Sequence, residues 1–295
     1  MSGFDVDAAF RVRAKVGEGS IWSARHNALY WVDIPAGKLH RSDPSTGQTQ
    51  TWAFGRPVGC VAETEDGQIV AALTDGFTLL DPQAGTMTPL GGPKPGEDNH
   101  RFNDGTVDPA GRFLAGTMGL DGPTAETAQG RLYAFDGKRA EEVMVGFKTI
   151  NGLAFSPDGK TAYVSDSNPA IQTIWAYDYD MDDGAWTNKR VFFDCSGIAA
   201  RPDGGAMDTD GCYWMAGVSG WQLVRITPAG EVDRTVDMPV EKPTRIAFGG
   251  PNRDVIYTTS IAVPDDAEQP LSGLVLTVHV PGIQGLDMPL MRFSS

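Results

Sequence analysis

The chain contains few cysteines and histidines, and it lacks any long apolar run. Only 3 of its 295 residues are cysteine and no Cys-x-x-Cys pair occurs, which argues against both a disulfide framework and a cysteine-rich zinc site. No apolar run reaches the length of a membrane-spanning helix, and the N-terminus has no basic segment followed by an apolar one. We therefore expect a cytoplasmic protein with no membrane partner.

Positive charge is also scarce. The 24 lysines and arginines are outnumbered by 38 acidic residues, which gives a net charge of −14 and no basic cluster for nucleic acid. The Gly-x-Ser-x-Gly motif of serine hydrolases is absent. Of the 4 histidines, His40 and His279 fall on outer-strand patterns and are expected at the surface, while His100 lies nearest the predicted site. These features exclude a nucleic-acid partner and disfavour a serine nucleophile.

Glycine and proline, by contrast, are plentiful, with 36 and 20 residues spread along the chain. Hairpin turns between short apolar runs recur six times, and a third and fourth run follow in most units. The turns are His26-Asn27, Asp66-Gly67, Ala110-Gly111, Asp158-Gly159, Asp210-Gly211 and Asn252-Arg253. This repeat predicts an all-β fold, a six-bladed β-propeller with four-stranded blades, whereas a β-sandwich is the alternative.

The repeat also predicts the domain organisation. No linker or low-complexity stretch divides the chain, so residues 1–295 are expected to form one domain. The run Phe10–Val16 precedes the first unit, and we expect it to supply the missing outer strand of the last blade. The loop-like stretches Gly91–Asn99, Gly119–Gln129 and Pro264–Pro270 are expected to lie over one face, where the last two would influence substrate choice.

One column of the repeat carries unusual chemistry. About eight residues before each turn stand Glu18, Gly59, Asn103, Asn151, Asp203 and Thr244. The first strand of each blade lines the channel of a propeller, so these positions should form a ring at one end of it. The ring offers oxygen donors and two negative charges, which suits a hard divalent cation, and Gly59 should leave room on one side.

Taken singly, each of these residues has an ordinary interpretation. Glu18 in Gly-Glu-Gly reads as a solvated loop acid, Asn151-Gly152 reads as a turn, and Asp203 in Arg-Pro-Asp-Gly reads as another turn. Their coincidence in one column of a six-fold repeat is what favours a metal site.

The same residues lie in motifs that resemble the SMP-30/gluconolactonase/LRE family, which includes regucalcin and bacterial sugar lactonases. The matching segments are Gly17–Trp22, Arg101–Gly105, Asn151–Gly159, Pro202–Gly204 and Lys242–Thr244. The resemblance implies a six-bladed propeller with Glu18, Asn151 and Asp203 as metal ligands and with Arg101 and Asn103 as substrate contacts. It also implies one divalent metal ion: calcium, zinc, manganese, magnesium or ferrous iron.

The resemblance further implies metal-dependent hydrolysis of a sugar lactone to the aldonic acid in an oxidative sugar pathway. Asp203 is the candidate catalytic residue that activates water, although it would also touch the metal. Asp104 is a second-choice acid or base, and Arg245 would add positive charge if it reached the mouth. The alternatives are a non-enzymatic metal-binding regulator and a phosphotriesterase-like hydrolase. We expect a monomer or a weak homo-oligomer.

Overall fold

The strands form six four-stranded antiparallel sheets in a computed structural model that describes residues 3–122, 129–264 and 266–294. The first strand of each sheet packs against the first strand of the next, and the sixth packs against the first, so the sheets close into a ring. The six-bladed β-propeller predicted from the turns is therefore confirmed.

The inner two strands of every blade are buried along nearly their whole length. The first strands are β2 (Gly17–Ser23), β6 (Val58–Glu63), β10 (His100–Val107), β14 (Ile150–Phe155), β18 (Arg201–Met207) and β22 (Pro243–Gly249). The second strands are β3 (Ala28–Asp33), β7 (Ile69–Leu73), β11 (Phe113–Gly119), β15 (Thr161–Asp166), β19 (Tyr213–Val218) and β23 (Val255–Ser260). The second strands match the apolar runs that follow the predicted turns. Both faces of these strands are buried, and β-branched and aromatic residues fill both.

The outer strands carry the exposed rim of each blade. The third strands are β4 (Lys38–Ser42), β8 (Gly76–Leu80), β12 (Gly130–Phe135), β16 (Thr173–Tyr179), β20 (Gln222–Ile226) and β24 (Leu276–His279). The fourth strands are β5 (Thr49–Ala53), β9 (Met87–Gly91), β13 (Ala140–Phe147), β17 (Trp186–Asp194), β21 (Val232–Asp237) and β1 (Val6–Ala8). Two short 3₁₀ helices, Pro95–Asp98 and Cys195–Gly197, follow β9 and β17.

The N-terminus closes the ring, but not with the segment predicted from the sequence. The outer strand of the last blade is Val6–Ala8, which pairs antiparallel with β24. The run Phe10–Val16, expected to be that strand, instead leads back towards the channel between the last and first blades. Its apolar pattern comes from packing, since Phe10 stacks on Tyr257 with ring centroids 6.2 Å apart and Ala14 is buried.

The core lies mainly between neighbouring blades. One apolar cluster joins Tyr30 and Leu39 of the first blade to Val61 and Leu73 of the second. Such clusters fix the position of each blade against the next, and therefore fix the inner strands that line the channel.

The C-terminal segment, residues 281–294, crosses the face on which the hairpins between first and second strands lie. Its backbone hydrogen-bonds to Met207 of the fifth blade, Glu63 of the second and Gly111 of the third. This segment covers the end of the channel away from the starts of the first strands. Of the predicted lid loops, residues 123–128 and residue 265 lie outside the described residues. In the described part of the chain, no helix is long and apolar enough to cross a membrane.

Candidate functional site

The predicted ring residues lie near the starts of the six channel-lining strands, each beside a β-bulge. The pairing register between first and second strands shifts there in every blade. Glu18 and Asn151 are the last paired residues before their bulges, whereas Asn103, Asp203 and Thr244 are the first residues inside theirs. A bulge redirects side chains, which explains why polar residues begin strands that are otherwise apolar.

Glycine is required at two of these bulges. Gly19 and Gly152, which follow Glu18 and Asn151, have φ values of 56° and 62°. Residues with a Cβ atom rarely adopt this left-handed region. The Asn151-Gly152 pair, which resembles a turn in the sequence, therefore serves a bulge within β14, and the amide lies at the channel.

A chain of hydrogen bonds links three blades at this end of the channel. Arg101 Nη1 donates to Asn103 Oδ1 (2.7 Å), and Asn103 Nδ2 donates to Asn151 Oδ1 (2.8 Å). Asn151 Nδ2 then donates to Ser167 Oγ (2.7 Å), which in turn donates to the carbonyl oxygen of Pro202. The amide oxygen of Asn151 thus has a fixed orientation, and its second lone pair is free for another partner.

The two ring carboxylates are buried, and neither has an ionic partner within residues 3–122, 129–264 and 266–294. Glu18 is 5% exposed and Asp203 is 7% exposed. Among the salt bridges between described residues, none involves either side chain. Burial and the charges of Asp203 and Asp104 raise the pKa of Glu18. Burial and the charge of Asp104 likewise raise the pKa of Asp203, against the opposing effect of three arginines.

These donors fit a divalent cation. Two buried, mutually repelling carboxylates need a counter-charge, and the oriented amide oxygen of Asn151 adds a neutral ligand of the same hard type. Among the described residues, no group of three or more His, Cys, Asp or Glu side chains is placed to share a metal. The predicted ligand set has only two carboxylates and takes its third donor from an asparagine, so it is not a group of this kind. Glu18, Asn151 and Asp203 therefore stay the predicted ligands.

Arg245 does not add a free positive charge at the mouth. Its Nη1 donates to both carboxylate oxygens of Asp104 (2.8 Å each), and both side chains are buried. Asp104, the second-choice acid or base, is therefore committed to an ion pair beneath the ring. The two opposite charges neutralise each other, which offsets the free-energy cost of burying a single charge in the channel.

Gly59 serves close packing, contrary to the expectation that it leaves room beside the site. A Cβ atom at this position would lie 2.3 Å from the backbone carbonyl of Phe102. The missing side chain allows β6 to approach β10. The last ring position, Thr244, donates to the carbonyl oxygen of Gly17 and is fully buried, so it ties the last blade to the first.

An apolar cavity lies at the other end of the channel. It has a volume of about 440 Å³ and is lined by apolar side chains such as Leu153, Met207, Phe248 and Met288. Arg245 also lines it, so the Asp104–Arg245 pair separates this cavity from the ring. None of the predicted ligands lines this cavity. The candidate site is therefore the ring of polar residues at the other end of the channel.

Comparison with known proteins supports the resemblance seen in the motifs. Residues 16–262 match the SMP-30/Gluconolactonase/LRE-like region. The chain belongs to this family. The match spans all six ring-lining strands completely, from Gly17–Ser23 to Pro243–Gly249, so membership covers the whole candidate site.

Individual members of the family share much of the sequence. The 6-deoxy-6-sulfogluconolactonase of Pseudomonas putida is 38% identical over 274 residues, which cover 90% of this chain and 92% of that protein. Regucalcin of Xenopus laevis is 34% identical, with 97% and 98% covered. A crystal structure described as a calcium-binding protein, regucalcin from Agrobacterium tumefaciens, superimposes with a TM-score of 0.89 at 25% identity, covering 98% of each chain.

One charged residue near the ring was not predicted from the sequence. Arg201 begins β18, two residues before Asp203, and its Nη1 donates to the carbonyl oxygen of Ser167 (3.0 Å). In the sequence it reads as the first residue of an Arg-Pro-Asp-Gly turn. A search for charged residues within two positions of each ring residue would have identified Arg201.

Proposed function

We propose that the chain is a sugar lactonase that hydrolyses an aldonolactone to the aldonic acid at the ring of channel residues. The observation that carries the proposal is the pair of buried, unpaired carboxylates Glu18 and Asp203 beside the oriented amide of Asn151. Family membership and the lactonase name of the P. putida relative support this reaction over other uses of such a site.

The chain's own residues have separate tasks. Glu18, Asn151 and Asp203 hold one divalent cation, which when bound supplies Lewis-acid polarisation of a carbonyl oxygen. Asp203 accepts the proton of the attacking water, and the ring oxygen of the lactone leaves as a hydroxyl group once it has gained a proton. Burial of the carboxylate excludes competing solvent and raises the pKa of Asp203, whereas a cation beside it would oppose that rise.

Arg101 and Asn103 orient the substrate. The hydrogen bond between them holds both side chains at the start of β10, beside the predicted ligand Asn151. Asn103 Nδ2 uses both of its hydrogens on Ile150 O (3.0 Å) and Asn151 Oδ1 (2.8 Å), so Asn103 offers the second lone pair of Oδ1 to a sugar hydroxyl. Arg101 supplies the donors for the other hydroxyls. A fixed orientation of the lactone carbonyl lowers the entropic part of the barrier.

The test is lactone hydrolysis by protein stripped of metal with a chelator and then reloaded. A panel of pentono- and hexonolactones is followed by pH-stat, with calcium, magnesium, manganese, zinc or ferrous iron restored one at a time. Hydrolysis above the spontaneous rate is expected only with metal. No acceleration with any metal and any lactone would overturn the proposal.

A second candidate function is metal binding without catalysis. It is favoured by the regucalcin relatives, one of which is described as a calcium-binding protein. Calorimetric titration of the stripped protein with calcium distinguishes the two functions. Calcium binding together with an inactive lactone panel would support the regulator, whereas binding that restores turnover supports the lactonase. A phosphotriester added to the panel tests the remaining hydrolase alternative.

A further inference from the structure

A second guanidinium group flanks the ring two blades away from Arg101. Arg201 lies between the fourth and fifth blades, where Nη1 donates to Ser167 O (3.0 Å) and Nη2 donates to Ser219 Oγ (3.4 Å). Ser167 also accepts a hydrogen bond from Asn151. Arg201 is therefore anchored to the residue that orients a predicted ligand, and its outer edge remains at the surface.

In the part of the chain that the structure describes, neither guanidinium forms a salt bridge with a carboxylate. In the salt bridges of the described residues, Arg101 and Arg201 do not occur, although ten other arginines do. In the described hydrogen bonds these two arginines donate only to neutral oxygens, at the rim that also carries the carboxylates Glu18 and Asp203.

The turn beside Arg201 adds an apolar surface. Ser219 and Trp221 both have left-handed backbone conformations, with φ values of 64° and 57°. This conformation leaves the indole of Trp221 41% exposed, whereas Trp22 is buried against Tyr257. Trp221 is two residues from Ser219, whose hydroxyl accepts a hydrogen bond from Arg201. An exposed indole on this turn can cover the C–H face of a sugar while the guanidinium binds a charged substituent.

We propose that Arg201 holds an anionic substituent on the substrate, at the carbon remote from the lactone carbonyl. A neutral lactone needs only hydroxyl-reading groups, and Arg101 with Asn103 supplies these. A planar guanidinium with free donors matches the oxygens of a sulfonate, phosphate or carboxylate group. The preferred substrate is then an anionic aldonolactone. This inference rests on the lactonase activity proposed above.

The test compares a neutral lactone with anionic ones of the same sugar. Metal-loaded protein is assayed with glucono-1,5-lactone, its 6-phosphate, its 6-deoxy-6-sulfonate and a glucarolactone, which carries a carboxylate. At least one anionic lactone should exceed the neutral one in kcat/KM by about tenfold or more. The three anions identify which charged group fits. Arg201→Gln should reduce that ratio at least tenfold, mainly through KM, and Arg201→Lys should retain part of it.

The matched control is Arg25→Gln. Among the described residues Arg25 likewise forms no salt bridge, and it donates to the backbone carbonyl of Glu65, but it lies at the hairpin after β2, on the opposite face. Its removal should leave the anionic-to-neutral ratio unchanged. A wild-type preference for the neutral lactone, or an equal loss of kcat/KM for all lactones in Arg201→Gln, would overturn the inference alone. Failure of every lactone would overturn the proposed function with it.

Discussion

Individual residues control the chemistry of this channel because burial leaves only a few charges without a partner. Asp104 and Arg245 neutralise each other, whereas Glu18 and Asp203 do not have such a partner among the described residues. The uncompensated carboxylates are the ones placed beside an oriented amide. Substitutions at these positions should therefore change catalysis and metal binding more than they change the fold.

Asp203→Asn should abolish most of the turnover. The amide has nearly the same shape but cannot accept the proton of water, so we expect kcat to fall by roughly 10²–10⁴-fold. Stopped-flow assays with the best lactone measure the loss. Circular dichroism and the melting temperature should remain close to the wild type, because the change removes a buried charge. Retention of wild-type kcat would remove Asp203 from the mechanism.

Glu18→Gln should weaken metal binding. The variant loses one of the two negative charges of the predicted ligand set, so we expect the Kd for the restoring metal to rise at least about tenfold, or 1.4 kcal/mol. Calorimetric titration of stripped protein gives the affinity, and excess metal should recover part of the activity. Glu63→Gln is a control, since this buried carboxylate hydrogen-bonds Ser23 at the other end of β2 and β6. Equal affinities in wild type and Glu18→Gln would exclude Glu18 as a ligand.

The sequence could predict the ring column but not the charges around it. Glu18, Asn151 and Asp203 were found because a repeat places equivalent positions at the same depth in the channel. The Asp104–Arg245 pair joins residues 141 positions apart, and nothing local in either segment indicates it. Arg201 was missed for a related reason, since only the fold brings Ser167 and Ser219 to its guanidinium.

At the scale of strands, the local sequence pattern predicted well where each strand lies in its blade. It predicted the burial of individual side chains less well. His40 was expected at the surface because it lies on a third strand, but it is only 4% exposed. Its Nδ1 is 2.8 Å from Thr51 Oγ1, and its ring lies 4.3 Å from the indole of Trp31. The aromatic neighbour across the strand pair covers the imidazole, which a single-strand pattern does not reveal. His279 is exposed as expected.

Burial of His40 should make stability depend on pH. Desolvation lowers the pKa of His40 to about 4, against 6.5 in the unfolded chain. Between these values the unfolded chain binds the proton and the folded protein does not. With respect to His40, the free energy of unfolding is therefore highest above pH 6.5. It falls by on the order of 3 kcal/mol as the pH decreases towards 4.

Urea unfolding of wild type and His40→Gln between pH 4 and 7 measures this effect. Because Gln does not titrate, the free energy of unfolding of the wild type should fall more steeply with acid than that of the variant. His279→Gln is the matched control and should follow the wild type. Parallel curves for wild type and His40→Gln would show that burial of this imidazole does not carry the pH dependence.

For the molecule as a whole, closure of the ring depends on the two ends of the propeller sequence meeting in one blade. The turns and apolar runs are local signals, which is why six blades were predictable. The closing strand is a non-local pairing, so the sequence pattern pointed to the apolar run Phe10–Val16, whereas Val6–Ala8 forms the strand. We propose that this shared blade makes residues 1–295 unfold as one unit.

Removal of residues 1–8 should open the ring. The truncation deletes β1 and the apolar contacts that Phe4 and Val6 make with the last blade, and it exposes the edge of β24. At about 2–4 °C per kcal/mol, loss of these contacts should lower the melting temperature by about 5 °C or more. Removal of residues 1–3 alone is the control and should change little, because Gly3 has open space around it. Calorimetry should show one transition for the full chain and a broader one for the longer truncation. Identical transitions in the two truncations would mean that β1 does not hold the blades together, and that the contacts between first strands suffice.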